Sequence, residues 1–559
     1  MSLERTPSLR ARHNGPGWPL LAILGAGAIV VGVMLFAFAS PFGGSDDKPA
    51  ERYIEAVAGS SSRVNPLFVH LNDTDRDLAR LAFSGLVRLD TDGTPLPDLA
   101  ESWETSPDGK TVTFHLRAGV VWHTGAPFTA DDVTFTYDLL SDPNLQGDPE
   151  QAALWQTVDC AAADDLTLAC TLPEPFSPFL AYATMGILPR HILEGATAQT
   201  IFDDAFNRAP IGTGPYRLAQ LDSNRALFKA NESYYLGTPP IDEIELRFYP
   251  DASSAAADVV RGEADGMLAD LSINPDDFKT LSDEGSLQGY TANRSAYAIL
   301  FLNNAKPPFN DPAVRRALSY TIDVDAIIAQ LLAGRALRAD SPIPPGTWAA
   351  DADVRAATRD VGRAREVLDK AGWVLNEAGN VRQRSNQELR FTLLTDQDSL
   401  RGAVADAIAA QMADAGIQAT VVQRPSNGLV RDALIPREYQ AAVFSWEPGP
   451  DPDPYPAWHS SQISSTGRNL ASYSKQANDR VMEAARQTYS MDSRKQLYSQ
   501  FQEIFLQDTP SVTLYYPLYT YFVSDKVTKI DIGVLFDSSS RFYNVHEWTI
   551  ESAPEIGEQ

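Results

Sequence analysis

The chain has 559 residues, 44% of them hydrophobic and 21% charged, and its 73 Asp and Glu against 46 Lys and Arg leave a formal charge of −27. That length exceeds what one hydrophobic core usually supports, so two or more lobes are expected. The acidity, with no basic run or stripe, excludes nucleic acid as a partner.

Residues 13–45 contain no Asp, Glu, Lys or Arg. Within them residues 18–42 are apolar over a length that matches the roughly 20 residues of a membrane-spanning helix. Arg5, Arg10 and Arg12 precede the run, so the positive-inside rule places residues 1–17 in the cytoplasm and the chain beyond a polar linker at 43–50 outside it. A cleavable signal is the competing expectation, because Ala37, Phe38 and Ala39 resemble an A-x-A site. The run is longer than the usual apolar core of about 7–15 residues in a signal, which favours a retained anchor. On the first reading the protein is attached to the cell membrane, and on the second it is secreted or periplasmic.

The folded part begins with YIEAVAGSSSRVNPLF at residues 53–68. DRDLARLAFSGLVRL, residues 75–89, carries apolar residues at helical spacing before it turns into a strand. TVTFHLRAGVVWHTG alternates like strands. In FTADDVTFTYDLLSDP, Thr129 and Asp132 form a capping box and Pro143 ends the helix. Cys160 and Cys170, the sole cysteines, flank a predicted hairpin turn in CAAADDLTLAC. A cross-strand disulfide is consistent with export, and two separate thiols remain open as the alternative. A second group of strands and helices spans residues 211–267, and a third begins at residue 297, where Asp311 caps and Pro312 opens a helix. A strand at 388–396, a helix ended by Gly416 and a strand at 417–425 complete an α/β pattern.

The segment FSWEPGPDPDPYPAWHSS, residues 444–461, has proline at every second position from 448 to 456. Proline fixes its own φ and pushes its predecessor to extended geometry, so this is a stiff wall and neither helix nor central strand.

Motifs of bond chemistry are absent from the sequence: H-E-x-x-H, G-x-S-x-G, G-x-x-x-x-G-K-[ST] and clustered Cys and His all fail to occur. The glycines of IGTGPY, residues 211–216, lack the following Lys and helix of a phosphate cradle and read as a turn. No enzyme activity, metal or cofactor is expected.

Six phrases in order resemble the family 5 extracellular solute-binding proteins of ABC importers, the peptide- and nickel-binding type. They are FSGLVRLDTDGTPLPDLAESWETSPDGKTVTFHLRAGVVWHTGAPFTADDVTFTYD, APIGTGPYRL, NESYYLGTPPIDEIELRFYPDASSAAADVVRGEADGM, FNDPAVRRALSYTIDVDAI, WEPGPDPDPY and PSVTLYYPLYTYFV. The resemblance implies an α/β, two-lobed periplasmic-binding-protein-like clamp. Lobe I would comprise residues 51–85, 188–292 and 511–559, with an extra subdomain at 86–187, and lobe II residues 293–510. Crossings near 290–302 and 508–514 would act as hinges. A monomer would capture a peptide or similar small solute and deliver it to ABC permease subunits in the membrane. A tethered ligand sensor, or a binder of a non-peptide solute, is the alternative.

The same resemblance implies a site. Trp446, Glu447, Gly449 and Asp451 would face the ligand from lobe II, and Asn72, Asp73 and Thr74 from lobe I, pairing with an extended ligand through backbone groups. Apart from the resemblance, Trp446, Tyr455, Trp458 and Trp348 are candidate pocket aromatics, with a place in the core as the alternative for each. Peptide binders of this family often place an Asp where this chain has Pro448, and that Asp holds the ligand's ammonium. Either Glu447 substitutes for it, or the ligand has no free α-amino group.

Overall fold

The computed structural model describes residues 50–551. The predicted membrane segment, residues 18–42, lies outside the described residues. Among the described residues no helix is long and apolar enough to cross a membrane.

Twelve strands build one large sheet. In chain order they are β1 (Arg52–Ala58), β2 (Tyr216–Leu221), β3 (Arg225–Ala230), β4 (Glu243–Tyr249), β5 (Gly266–Ala269), β6 (Leu287–Asn293), β7 (Tyr297–Leu302), β8 (Ala336–Arg338), β9 (Arg390–Asp396), β10 (Gln418–Arg424), β11 (Ala441–Trp446) and β12 (Ser511–Ser524). Their spatial order is β10-β9-β11-β7-β12-β5-β1-β4-β3-β2, and β6 and β8 also pair with β12. β1 runs parallel to β4, with Arg52 opposite Glu243 and Ala58 opposite Tyr249. β9 runs parallel to both β10 and β11. A separate four-stranded antiparallel sheet of Ala100–Thr105, Thr111–Leu116, Thr167–Thr171 and Asp159–Asp164 occupies the middle of the segment predicted as an extra subdomain.

The 14 residues of β12 are shared between two sets of partners. Its first part pairs with β7 and β8, from Ser511 opposite Phe301 to Pro517 opposite Ala336, and its last part pairs with β5 and β6, from Leu518 opposite Asn293 to Ser524 opposite Leu287. Leu514 and Tyr515 lie in the core built around β7. The change of partners therefore comes around Pro517, a few residues later than the expected crossing at 508–514. The other crossing is the short step from β6 to β7 through Arg294, and the two touch where Arg294 N–H donates to the Pro517 carbonyl at 3.1 Å.

All six residues of β7, YAILFL, are buried, as expected for a strand covered on both faces. Successive side chains point to opposite faces. Ala298, Leu300 and Leu302 enter one core together with Val314, Leu318 and Val404. Tyr297, Ile299 and Phe301 enter another with Trp458, Tyr498 and Phe505. A third core collects Tyr53, Leu78, Phe114, Tyr216, Leu246 and Trp548 from residues on the other side of the crossings.

Several local predictions are realised. Thr129 and Asp132 form the capping box of Ala130–Ser141. The Asp311 side chain accepts from Ala313 N–H at the start of Pro312–Thr321. Cys160 and Cys170 sit opposite each other in the Asp159–Asp164 and Thr167–Thr171 hairpin and form a disulfide.

Candidate functional site

The first α-helix of the described chain, α1 (Asp73–Ala82), starts at Asn72. The Asn72 side chain accepts from Thr74 N–H at 2.8 Å and donates to the Ser60 carbonyl at 2.7 Å, so it serves as an N-cap. Asp73, in the first turn, receives Arg76 at 2.8 Å, and Thr74 is buried against Gly59. A Cβ at Gly59 would come within 2.6 Å of Thr74 Oγ1. One turn further, Arg76 and Arg80 lie four residues apart on one face and border a cavity of about 490 Å³.

The opposite wall of that cavity is the proline segment. Glu447, Gly449 and Pro450 line it, and Gly449 has φ +92°, a left-handed conformation that glycine adopts without steric cost. Asp451 and Asp453 point away and anchor the segment. Asp451 is buried and takes Arg494 Nη2 at 2.8 and 3.1 Å. Burial raises its pKa, and Arg494 opposes the rise. Asp453 accepts Arg486 Nε at 2.7 Å and caps the turn Tyr455–Trp458 through Tyr455 N–H at 3.1 Å. The segment is thus both wall and corner. Its glycine and Glu447 face the cavity, and its aspartates tie it to Gln476–Arg486 and Met491–Asp508.

Trp446, at the end of β11, packs edge-on to Phe301 at 6.5 Å. Trp348 is 8% exposed and lies under the Arg494 guanidinium at 4.7 Å, and its backbone N–H donates to the Asp92 carbonyl at 2.9 Å. The cavity therefore brings together Glu447 and Gly449 of the expected residues, while Asn72, Asp73, Thr74, Trp446, Asp451 and Trp348 are engaged around it.

Glu447 is not alone. Arg294, at the crossing from β6 to β7, places Nη2 2.8 Å from its carboxylate and also donates to the Tyr519 hydroxyl. The carboxylate expected to receive a ligand's ammonium already has a cationic partner within the chain.

A third wall comes from residues 533–543, with Phe536, Asp537, Ser539 and Tyr543 at the cavity. Its position depends on Arg541, which is buried. Arg541 donates to Glu55 at 2.8 Å and reaches both oxygens of Asp77 at 3.0 and 2.7 Å. Glu55 also accepts the hydroxyls of Tyr53 at 2.6 Å and Tyr521 at 2.9 Å. Burial raises the Asp77 pKa while Arg541 pulls it down, so the pair ties β1, α1 and the final turn into one unit. His70 also borders the cavity, and burial lowers its pKa.

Arg76, Arg80, Arg294 and residues 533–543 were not singled out from sequence. The i, i+4 spacing of Arg76 and Arg80 was visible, but an exposed helix face carries the same pattern. Nothing local marks Arg294 as facing a residue 153 positions away.

Cross-cleft contacts join the segment carrying the small sheet to that carrying Gln476–Arg486. Ser177 N–H donates to the Arg486 carbonyl at 2.7 Å, Ser177 Oγ to the Ala485 carbonyl at 3.1 Å, and Tyr489 Oη to the Gly109 carbonyl at 2.9 Å. Among the described residues no group of three or more His, Cys, Asp or Glu is gathered to hold a metal ion.

Comparison with known proteins follows the same architecture. The chain is 26% identical over 502 residues to the oligopeptide-binding protein AppA of Bacillus subtilis, covering 88% of this chain and 90% of that one. It is 31% identical over 365 residues to the nickel-binding periplasmic protein of Escherichia coli, covering 64% of this chain and 69% of that one. Its fold matches that of NikZ from Campylobacter jejuni, solved in complex with Ni(L-His), at a TM-score of 0.71 and 27% identity over 90% of this chain and 100% of the other. Residues 94–467 match the model of the bacterial extracellular solute-binding proteins, family 5. The α/β sheet shared across two crossings, the walled cavity and these likenesses agree, and the chain belongs to the bacterial extracellular solute-binding proteins, family 5.

Proposed function

We propose that this protein is the extracytoplasmic substrate-binding subunit of an ABC importer, which captures a peptide or similar small solute by lobe closure and hands it to a membrane permease. The observation that carries this reading is the cavity of about 490 Å³ walled by α1, residues 533–543 and the proline segment, which lie on opposite sides of the crossings at Arg294 and Pro517. Pockets of this size enclose small solutes, and a pre-stiffened wall loses little entropy on binding. Lobe I then comprises residues 51–85, 188–292 and the C-terminal part of the chain, with the subdomain at 86–187, and lobe II residues 293–510. The apolar run at 18–42 tethers the protein to the membrane, or directs its export if it is removed.

Native mass spectrometry of the full-length protein tests the reading. Denaturation should release one small molecule per chain, and short peptides should compete with it in calorimetry. No released solute and no binding of any peptide would contradict it. A non-peptide solute is the second reading, and the Arg294–Glu447 pair favours it, because that pair occupies the carboxylate a peptide's ammonium would seek.

A further inference from the structure

The charged groups around the cavity divide unevenly into paired and unpaired. Glu447 receives Arg294 at 2.8 Å. Asp537 accepts the N–H and hydroxyl of Ser539 at 2.9 and 2.6 Å and faces Arg76 at 3.9 Å. Asp90 accepts the Tyr543 hydroxyl at 3.2 Å and Thr91 N–H at 2.8 Å. Asp148 and Arg468 have partners of their own, and Arg76 has Asp73 at 2.8 Å. Every carboxylate on the wall is therefore engaged.

Arg80 differs. It is half-buried on α1, borders the cavity, and its guanidinium forms no hydrogen bond or ion pair with any described residue. Its field acts on buried Asp98, but Arg88 and Arg117 act there too and the Tyr235 hydroxyl donates to that carboxylate, so Asp98 does not depend on Arg80. A cation drawn partly out of water and left unpaired is costly, and a guanidinium offers a planar fork that matches a carboxylate.

We propose that Arg80 receives an anionic group of the bound solute, a carboxylate, and that the cavity selects its solute by this anion and does not require a free amino group. The second half follows from the wall: an entering ammonium meets only carboxylates that are already neutralised or hydrogen-bonded, whereas an entering carboxylate meets an unpaired guanidinium. The inference rests on the reading of this cavity as the solute site. The carboxylate can be the terminus of a peptide or belong to a free organic acid.

The test is calorimetry on full-length protein stripped of bound solute, with trialanine, N-acetyl-trialanine, trialanine amide and glutarate. Acetylation should change Kd by less than about threefold, and amidation should weaken binding at least tenfold, the range for a charged hydrogen-bonded contact. Arg80→Ala should remove the difference between acid and amide, and Arg80→Lys should retain part of it. Glutarate binding without trialanine binding would identify an organic acid as the source. Loss of binding on acetylation, indifference to amidation, or acid binding unchanged in Arg80→Ala would overturn the proposal. The comparison of acid with amide needs no variant, so a folding defect in Arg80→Ala leaves it decided. If none of the four binds, the molecule released from the native protein decides for Arg80: an anion supports it, a cation or neutral species overturns it, and release of no solute at all bears on the reading of the cavity as the solute site.

Discussion

At the scale of single residues, the clearest energetic statements concern buried charge. Arg494 and Asp451 are 3% and 8% exposed in their side chains, and each is the other's charge partner. Removing one leaves an uncompensated charge in the core, which costs about 3–5 kcal/mol. Arg494→Met should therefore lose that much stability in urea unfolding, with a parallel loss of solute binding as the proline segment comes loose; a loss below about 1 kcal/mol would show that Asp451 finds solvent instead. Asp98 supports a pH prediction. Burial raises its pKa above the ordinary carboxyl range, and the Tyr235 hydrogen bond and nearby arginines only partly offset this. A carboxyl whose folded pKa is raised binds its proton more tightly in the native state, so its contribution to stability is present at low pH and lost as pH rises through the folded value. Relative to Asp98→Asn, the wild type should gain stability as pH falls from neutrality toward about 4. A difference in melting temperature that is flat, or that moves the other way, would contradict the assigned burial.

At the scale of elements, the proline segment shows how far sequence reasoning reaches. Alternating prolines foretell stiffness from covalent geometry alone, and residues 447–454 are neither helix nor strand, but the expectation fails at both ends of the segment: Phe444 to Trp446 close β11, a strand inside the sheet, before the first proline, and Tyr455–Trp458 is a short helix. Which residues face the cavity was not legible. Asp451 and Asp453 turn inward because Arg494 and Arg486 wait on helices 33 or more residues later, a tertiary fact that no local pattern carries. The stretch from Asn72 to Thr74 was expected as a backbone platform for the ligand; in the structure Asn72 is the N-cap of α1, a role that was not read from the sequence. The capping box at Thr129 was legible because it is set by local hydrogen bonds. Gly449 yields a prediction at this scale. Its φ of +92° disfavours any residue with a Cβ, although nothing within 4 Å would clash with one. Gly449→Ala should thus cost about 1–2 kcal/mol through backbone strain, read by urea unfolding. A neutral substitution would mean the segment relaxes and is not a stiff wall.

At the scale of the whole molecule, one strand and one short step hold the two sides together. β12 gives its first residues to one side and its last to the other, and Arg294 stands at the second crossing, bonded to Pro517 and to Glu447 on the cavity wall. Motion about so narrow a connection can open the cavity while leaving the cores on each side intact. On the proposed lobe opening, the contacts of Ser177 with Arg486 and of Tyr489 with Gly109 would break. Tyr489→Phe deletes two such hydrogen bonds, that to the Gly109 carbonyl and that from Phe176 N–H, each worth about 0.5–1.5 kcal/mol, and should weaken solute binding at least severalfold while leaving the unfolding of the solute-free protein unchanged. Equal affinity would place those contacts in both forms.

The most direct measurement is the distance between spin labels at Lys110→Cys and Gln487→Cys, exposed neighbours of the Gly109 and Tyr489 contact, by pulsed electron paramagnetic resonance. With the released solute restored, a single short distance is predicted, and on stripping the distribution should shift to longer distances. One unchanged distance in both states would contradict capture by closure.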